Sequence, residues 1–219
     1  MKKITKIEIQ KNNRDRVNIY LDDAFAFGID LNIMMKYSLA KNMEIEQLFI
    51  DEILKAEEEI HVYNYALTLL SRRAMSEKQI RTKMKTKGYD EDFIDSAILK
   101  LKNQKYLDDE RYSEMLINDK VNISKYGKRK IKQLLYEKGI ERETIEEKIK
   151  CLSEEDELKR AYSVGLKKIS SLKEEDDRKK YVKLSRFLIN KGFELSTVRK
   201  AASYLLKAGI DDFGDFEDI

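Results

Sequence analysis

One triplet recurs three times in this chain at nearly even spacing: Lys87-Gly88-Tyr89, Lys138-Gly139-Ile140 and Lys191-Gly192-Phe193, with 51 and 53 residues between successive glycines. Superposing the glycines brings five further positions into register. Eight residues before each lie Ile80, Ile131 and Leu184, and four before lie Met84, Leu135 and Leu188. Six after come Ile94, Ile145 and Val198; ten after, Ile98, Ile149 and Ala202; thirteen after, Leu101, Leu152 and Leu205. Spacings of four and three place each set on one face of a helix. Each glycine accepts the left-handed conformation that closes a helix, and the lysine in the last turn complements the negative end of its dipole. A further apolar helix precedes each pair, at 62–73, 109–123 and 157–171, so each repeat holds three helices. One such unit buries little by itself. Stacked neighbours must supply the rest of the core, which predicts an elongated, curved array.

Composition agrees with helices that run uninterrupted. The 219 residues include no proline and only eight glycines, and 39% of them are charged, which argues against Pro-rich linkers and turn-dense β-sandwiches. The first thirty residues read differently. Ile7/Ile9, Val17/Ile19/Leu21 and Phe25/Phe27 alternate with period two around turn-forming segments, which predicts a small three-stranded meander. Asp30 is placed to N-cap a helix, and Glu57-Glu58-Glu59 reads as a solvated helix face. The expected organisation is a β meander over 1–30, short linking helices over 31–61, three-helix repeats over 62–107, 108–157 and 158–210, and an acidic tail over 211–219. No apolar run approaches the roughly 18 residues of a membrane span, and the start lacks a signal-peptide block, so a cytoplasmic protein is expected.

Little in the chain points to catalysis. One histidine, His61, and one cysteine, Cys151, form no zinc constellation, and no phosphate-loop, dinucleotide, serine-hydrolase or metalloprotease motif is present. Cys151, next to Leu152, is expected to be a half-buried packing residue. The cluster Asp108-Asp109-Glu110 fits a helix start, with Asp108 as N-cap and the following acids favoured by the dipole. The reading is a non-enzymatic protein with no cofactor and no metal.

Charge is where the chain is uneven. Residues 62–107 carry 10 Lys/Arg against 5 Asp/Glu and residues 158–210 carry 14 against 5, whereas 108–157 carry 11 against 14. The basic residues concentrate on the middle helix of each repeat, and equivalent helices that align in an array form a basic stripe suited to a polyanion or a long acidic surface. The candidates for its contact face are Arg72, Arg73, Lys78, Arg81, Lys128, Arg129, Lys132, Arg178, Lys179, Lys183 and Arg186. Tyr89, Tyr126 and Tyr136 interleave with it, and Tyr181 and Phe187 fit core positions better.

The run from Leu70-Ser71-Arg72-Arg73 through Ser76-Glu77, Ile80, Met84 and Lys87-Gly88-Tyr89, followed by Tyr106-Leu107-Asp108-Asp109-Glu110-Arg111-Tyr112, resembles the RecX family of regulatory proteins. Leu184-Ser185-Arg186-Phe187-Leu188-Ile189-Asn190-Lys191-Gly192-Phe193 carries the same resemblance, which covers about residues 60–207. Ser113 departs from it, because alanine is frequent there. The resemblance implies tandem three-helix repeats and a monomer that binds the filament of RecA on single-stranded DNA. It also implies lower recombinase, ATPase and coprotease output in DNA repair and the SOS response. A stand-alone nucleic-acid-binding protein using the basic stripe is the alternative reading. The tail, with five acids and no base in residues 211–219, is either disordered decoration or a competitor for that stripe, since tethering supplies effective concentrations on the order of millimolar. Deleting residues 211–219 is expected to tighten binding to a single-stranded oligonucleotide at low salt, measured by fluorescence anisotropy; unchanged or weaker binding excludes the competition.

Overall fold

The computed structural model describes residues 1–173 and 176–206, so the acidic tail lies outside the described residues. The chain divides into two compact units, residues 1–74 with 80–107, and residues 75–79 with the chain from Asp108 onward.

The first unit opens with the expected meander, β1 (Lys2–Gln10), β2 (Asn13–Leu21) and β3 (Ala24–Asp30), paired antiparallel. A two-residue strand, β4 (Glu44–Ile45), adds to the free edge of β1 and completes the order β3-β2-β1-β4. Two residues carry too short an alternation to be seen as a strand in the sequence. Alternate residues Val17, Ile19 and Leu21 face a core shared with Ile4, Ile29, Ile33, Ile50 and Ile53. Asp30 caps α1 (Leu31–Lys36), its carboxylate accepting from the Asn32 backbone N–H at 2.8 Å.

Of the expected linking helices α1 is short and separate, whereas the second is the opening of one helix, α2 (Gln47–Arg72), which spans 26 residues and runs through the expected boundary at 61/62. Its first half covers the sheet, with Ile50 and Ile53 in the β-sheet core, and its second half packs on α4 (Glu91–Asn103) as the first helix of the first repeat. Glu57 is correspondingly not on a solvated face. It is 9% exposed, accepts from the Asp30 backbone N–H at 2.6 Å and pairs with Arg16 Nη1 at 2.6 Å, which ties α2 to β2 and β3. Periodicity could not separate this glutamate from its neighbours, because its partners come from strands far away in sequence.

The three repeats form as expected. Each has a middle helix, α3 (Glu77–Lys87), α6 (Lys128–Glu137) or α9 (Asp177–Asn190), and a third helix, α4, α7 (Arg142–Lys150) or α10 (Leu195–Leu206). The second and third repeats begin with α5 (Asp109–Asn122) and α8 (Glu154–Ser170). Gly88, Gly139 and Gly192 have φ of 89°, 80° and 83°, the left-handed region that favours glycine. Ile80, Met84, Ile94, Ile131, Leu135, Ile145, Leu184, Leu188 and Val198 are each wholly buried, so the superposed positions are the cores of the three units. Cys151 is exposed at the C-cap of α7, contrary to a packing role. The helix ends one residue before it, so the apolar face does not continue through it.

The three glycines differ in what surrounds them. A Cβ on Gly192 would lie 2.4 Å from the backbone nitrogen of Lys130, whereas one on Gly88 meets nothing within 4 Å. Gly88→Ala is expected to lose only the conformational term, about 1–2 kcal/mol. Gly192→Ala must also displace backbone and should lower the urea midpoint considerably further. Equal losses would contradict the packing.

Candidate partner-binding site

The second unit contains two junctions built on the same plan, each joining the start of a middle helix to the Lys-Gly turn of the following repeat. Twelve residues before Gly88 is Ser76, whose hydroxyl donates to the carbonyl of Lys138 at 2.6 Å. Twelve before Gly139 is Gly127, whose backbone N–H donates to the carbonyl of Lys191 at 3.0 Å. The next residue is served by a carboxylate from the following repeat: Glu77 N–H donates to Asp109 at 2.9 Å, and Lys128 N–H donates to Glu157 at 2.8 Å. A second backbone bond, Arg129 N–H to Gly192 O at 3.0 Å, reinforces the latter.

These bonds solve a problem intrinsic to helix ends. The first amides of a helix have no partner within it, and the last carbonyls have none either. Gly127 supplies no side-chain cap for α6, so Glu157 acts as the cap from the neighbouring repeat, where the positive end of the helix favours a carboxylate. At α3 the Ser76 and Gln79 side chains cap each other's backbone N–H groups, at 3.4 and 3.2 Å, and Asp109 adds the acceptor from outside. Asp109 therefore does more than favour its own helix dipole, and Asp108 caps α5 as expected, accepting from Arg111 N–H at 2.9 Å. The small residues at 76 and 127 were the available sequence signal, since a larger side chain at Gly127 would lie 2.3 Å from the Gly192 carbonyl.

Around the second junction the structure gathers positive charge. Lys128, Arg129 and Lys130 open α6 beside the turn that holds Lys191, whose ammonium lies 5.0 Å from the Tyr126 ring centroid and 5.9 Å from that of Phe187. Beneath them Glu157 is 1% exposed, and burial pushes its carboxyl above the usual carboxylate range against the opposing pull of the Lys128 N–H. One turn along α8, Arg160 is 9% exposed, and its Nε and Nη2 have no hydrogen-bond partner among the described residues.

The contact candidates separate into two groups. Arg81 is held by Asp95 at 2.5 Å and Glu91 at 3.5 Å, and Lys132 by Glu146 at 2.5 Å. Arg81 and Lys132 both lie seven residues before their glycine, and Asp95 and Glu146 lie seven after, so one clamp joins middle and third helices in both repeats. Lys78 packs over Gly139, its Cβ 2.6 Å from where that glycine's own Cβ would stand, and the Lys128 backbone is engaged by Glu157. Arg72, Arg73, Arg129, Arg178, Lys179 and Arg186 are exposed and make no ion pair among the described residues; Lys183 is exposed as well. Within the second unit α6 and α9 do not lie side by side: the start of α6 meets the turn that ends α9. Sequence reasoning missed Glu57, Asp109 and Glu157 as structural acceptors, because an acid's partner across a repeat leaves no local periodicity. Among the described residues no group of three metal-ligating side chains converges, and no helix is long and apolar enough to cross a membrane.

Sequence models of four domains match this chain in order: the regulatory protein RecX N-terminal domain at residues 2–46, and the first, second and third three-helix domains of RecX at 63–101, 108–149 and 154–202. The chain belongs to the RecX family. It is 38% identical over 203 residues to the regulatory protein RecX of Clostridioides difficile, covering 93% of this chain and 95% of that one. It is 40% identical over 195 residues to that of Clostridium perfringens strain SM101, covering 88% and 91%. A crystal structure of regulatory protein RecX superposes with a TM-score of 0.78 at 28% identity, over 92% of this chain and 98% of that one. A RecX from Lactobacillus salivarius gives 0.64 at 25% identity, over 68% and 97%. Within this RecX-family chain the departing residue Ser113 is fully buried, and its hydroxyl donates to the Glu110 carbonyl at 2.6 Å, so the extra oxygen is satisfied inside its own helix.

The raised carboxyl of Glu157 links the second junction to pH. A folded-state proton held more tightly than in the unfolded chain contributes stability that is complete below the ordinary carboxylate range and lost as pH rises through the raised value. Glu157→Gln keeps an acceptor without titrating, and it should gain stability relative to the unsubstituted chain as pH rises above the ordinary carboxylate range of about 4. Parallel stability curves from urea unfolding would sink this assignment.

Proposed function

We propose that this RecX-family protein is a non-enzymatic regulator that binds the RecA filament on single-stranded DNA and lowers its recombinase and ATPase output. The observation that carries the reading is the ordered match of all four RecX domains to one chain. The chemistry of the surface supports it. Arg129, Arg178, Lys179 and Arg186, exposed and without an ion pair among the described residues, suit acidic protein surface or phosphate, and guanidinium groups bind either one bidentately. Three units in tandem present repeated weak contacts, which suits a polymer of identical subunits better than a single small ligand.

A stand-alone nucleic-acid binder is the second reading, favoured by the basic cluster at Lys128, Arg129, Lys130 and Lys191. Its signature is tight DNA binding without RecA, with log K falling by about 0.7 per contacted phosphate against log salt on single strands. A regulator instead binds DNA weakly alone and strongly when RecA is present.

At stoichiometric amounts the protein is expected to reduce RecA's DNA-dependent ATP hydrolysis and to change filament length in electron micrographs. Unchanged hydrolysis and length would refute the reading. Replacing Arg129, Arg178 and Arg186 together by alanine should weaken filament binding by about tenfold or more, the scale of one or two charge-assisted hydrogen bonds. Lys132→Ala removes a cation already held by Glu146 and should leave filament binding nearly intact, as read by cosedimentation.

A further inference from the structure

Among the described residues, two of the three Lys-Gly turns are covered by the start of a helix, and the third is not. Gly88 has the same left-handed backbone as Gly139 and Gly192, yet nothing lies within 4 Å of its Cβ position, and Lys87 and Gly88 are both exposed. The acceptor position of the first junction is matched there too, although the second junction's acceptor, Glu157, lies thirty-five residues before its glycine. Asp109, the acceptor at the first junction, lies thirty residues before Gly139; thirty before Gly88 is Glu58, on the repeat's first helix and half-buried. Its charge reaches Tyr89: burial first, and then Glu58, push that phenol's ionisation upward. Edge-on contacts of Tyr89 with His61 at 5.7 Å and Tyr65 at 5.5 Å give this end a firm aromatic wall.

We propose that Glu58 with the Lys87-Gly88-Tyr89 turn is an open copy of the inter-repeat junction, and that it docks the N-terminal end of a helix on a RecA subunit. The partner helix is specified by the two filled copies. It begins at serine or glycine, leaves a first-turn amide to be capped from outside, and carries lysine or arginine beside it, as Ser76-Glu77-Lys78 and Gly127-Lys128-Arg129 do. A second copy of this chain is a poor occupant. Its α3 and α6 starts are engaged, and its α9 start is capped by its own Asp176, with Asp177 following, which would set acids against Glu58. Nucleic acid is a poor occupant as well, because a carboxylate and helix-end carbonyls repel phosphate. The identity of the partner rests on the function proposed above; the chemistry of the junction does not.

Two measurements on the full chain separate these parts. In the first, a helix-stapled peptide of residues 126–138, the start that covers Gly192, is titrated into isotope-labelled protein. Saturable shifts at Glu58, Gly88 and Tyr89 are expected, weakened about tenfold by Glu58→Lys as a charge-assisted bond is lost. Shifts centred elsewhere, no shifts, or indifference to Glu58→Lys in a variant of unchanged melting temperature would overturn the junction. In the second, benzoylphenylalanine replaces Lys87, and the protein is irradiated on RecA filaments. Crosslinks in the first turn of a RecA helix are expected. Crosslinks to DNA or a second copy, or none from bound protein, would overturn RecA as the occupant, whereas failure to bind filaments at all would refute the function proposed above.

Discussion

Everything in the repeat region depends on how the first amides of each middle helix are satisfied. A helix start left bare exposes donors at its positive end, and a helix end exposes carbonyls at its negative one. Here the two deficits are set against each other. Ser76 and Gly127 donate to the carbonyls of Lys138 and Lys191, and Asp109 and Glu157 accept from the next amide along. Hydrogen bonds that involve a charged partner stabilise by about 1.5–3 kcal/mol each. Each junction has one such bond, and its neutral companions add about 0.5–1.5 kcal/mol apiece, a sum comparable to the burial of a large side chain. The left-handed glycine is then required twice over, once to end its own helix and once to let its neighbour approach, the Lys78 side chain at Gly139 and the Lys130 backbone at Gly192.

That arrangement decides which cations remain for a partner. Lys78 is spent on covering Gly139, and Arg81 and Lys132 on clamping their own third helices. A sequence rich in Lys and Arg therefore exposes a smaller set, Arg129, Arg178, Lys179 and Arg186 among them. The end-on meeting of α6 and α9 concentrates positive charge where backbones already converge. The amides that hold repeats together and the exposed Arg129 thus belong to the same helix, α6.

Much of this was legible in advance, for a physical reason. Ile80, Ile131 and Leu184, with their partners along each helix, recur because three copies solve one packing problem, and repetition exposes the solution without a structure. Asp30 and Asp108 were readable as caps because capping is local. What escaped was non-local: Glu57 looks like its neighbours in sequence but is held by Arg16 and the Asp30 backbone from the sheet. Glu157 sits in a run of four acids, and only the Lys128 amide, 29 residues earlier, singles it out. The continuous α2 was hidden because its two halves serve two different cores, and the change of apolar face between them resembles a boundary.

The junctions also differ at the two limits of the series, and the difference follows from where caps come from. Middle helices α3 and α6 take an acceptor from the repeat that follows them. The start of α9 instead carries its own acceptor, Asp176, whose side chain accepts from the Arg178 and Lys179 amides at 2.8 and 3.4 Å. An uncapped α9 would expose the very donors that α3 and α6 hide, and such a helix start invites non-specific association. At the opposite limit no such replacement has occurred. The Gly88 turn keeps its left-handed glycine, its lysine and a carboxylate on the adjacent helix, although no helix start among the described residues covers it. An internal cap at α9 and a complete turn at Gly88 together make the series polar, with the chemistry for adding a helix start at the Gly88 turn.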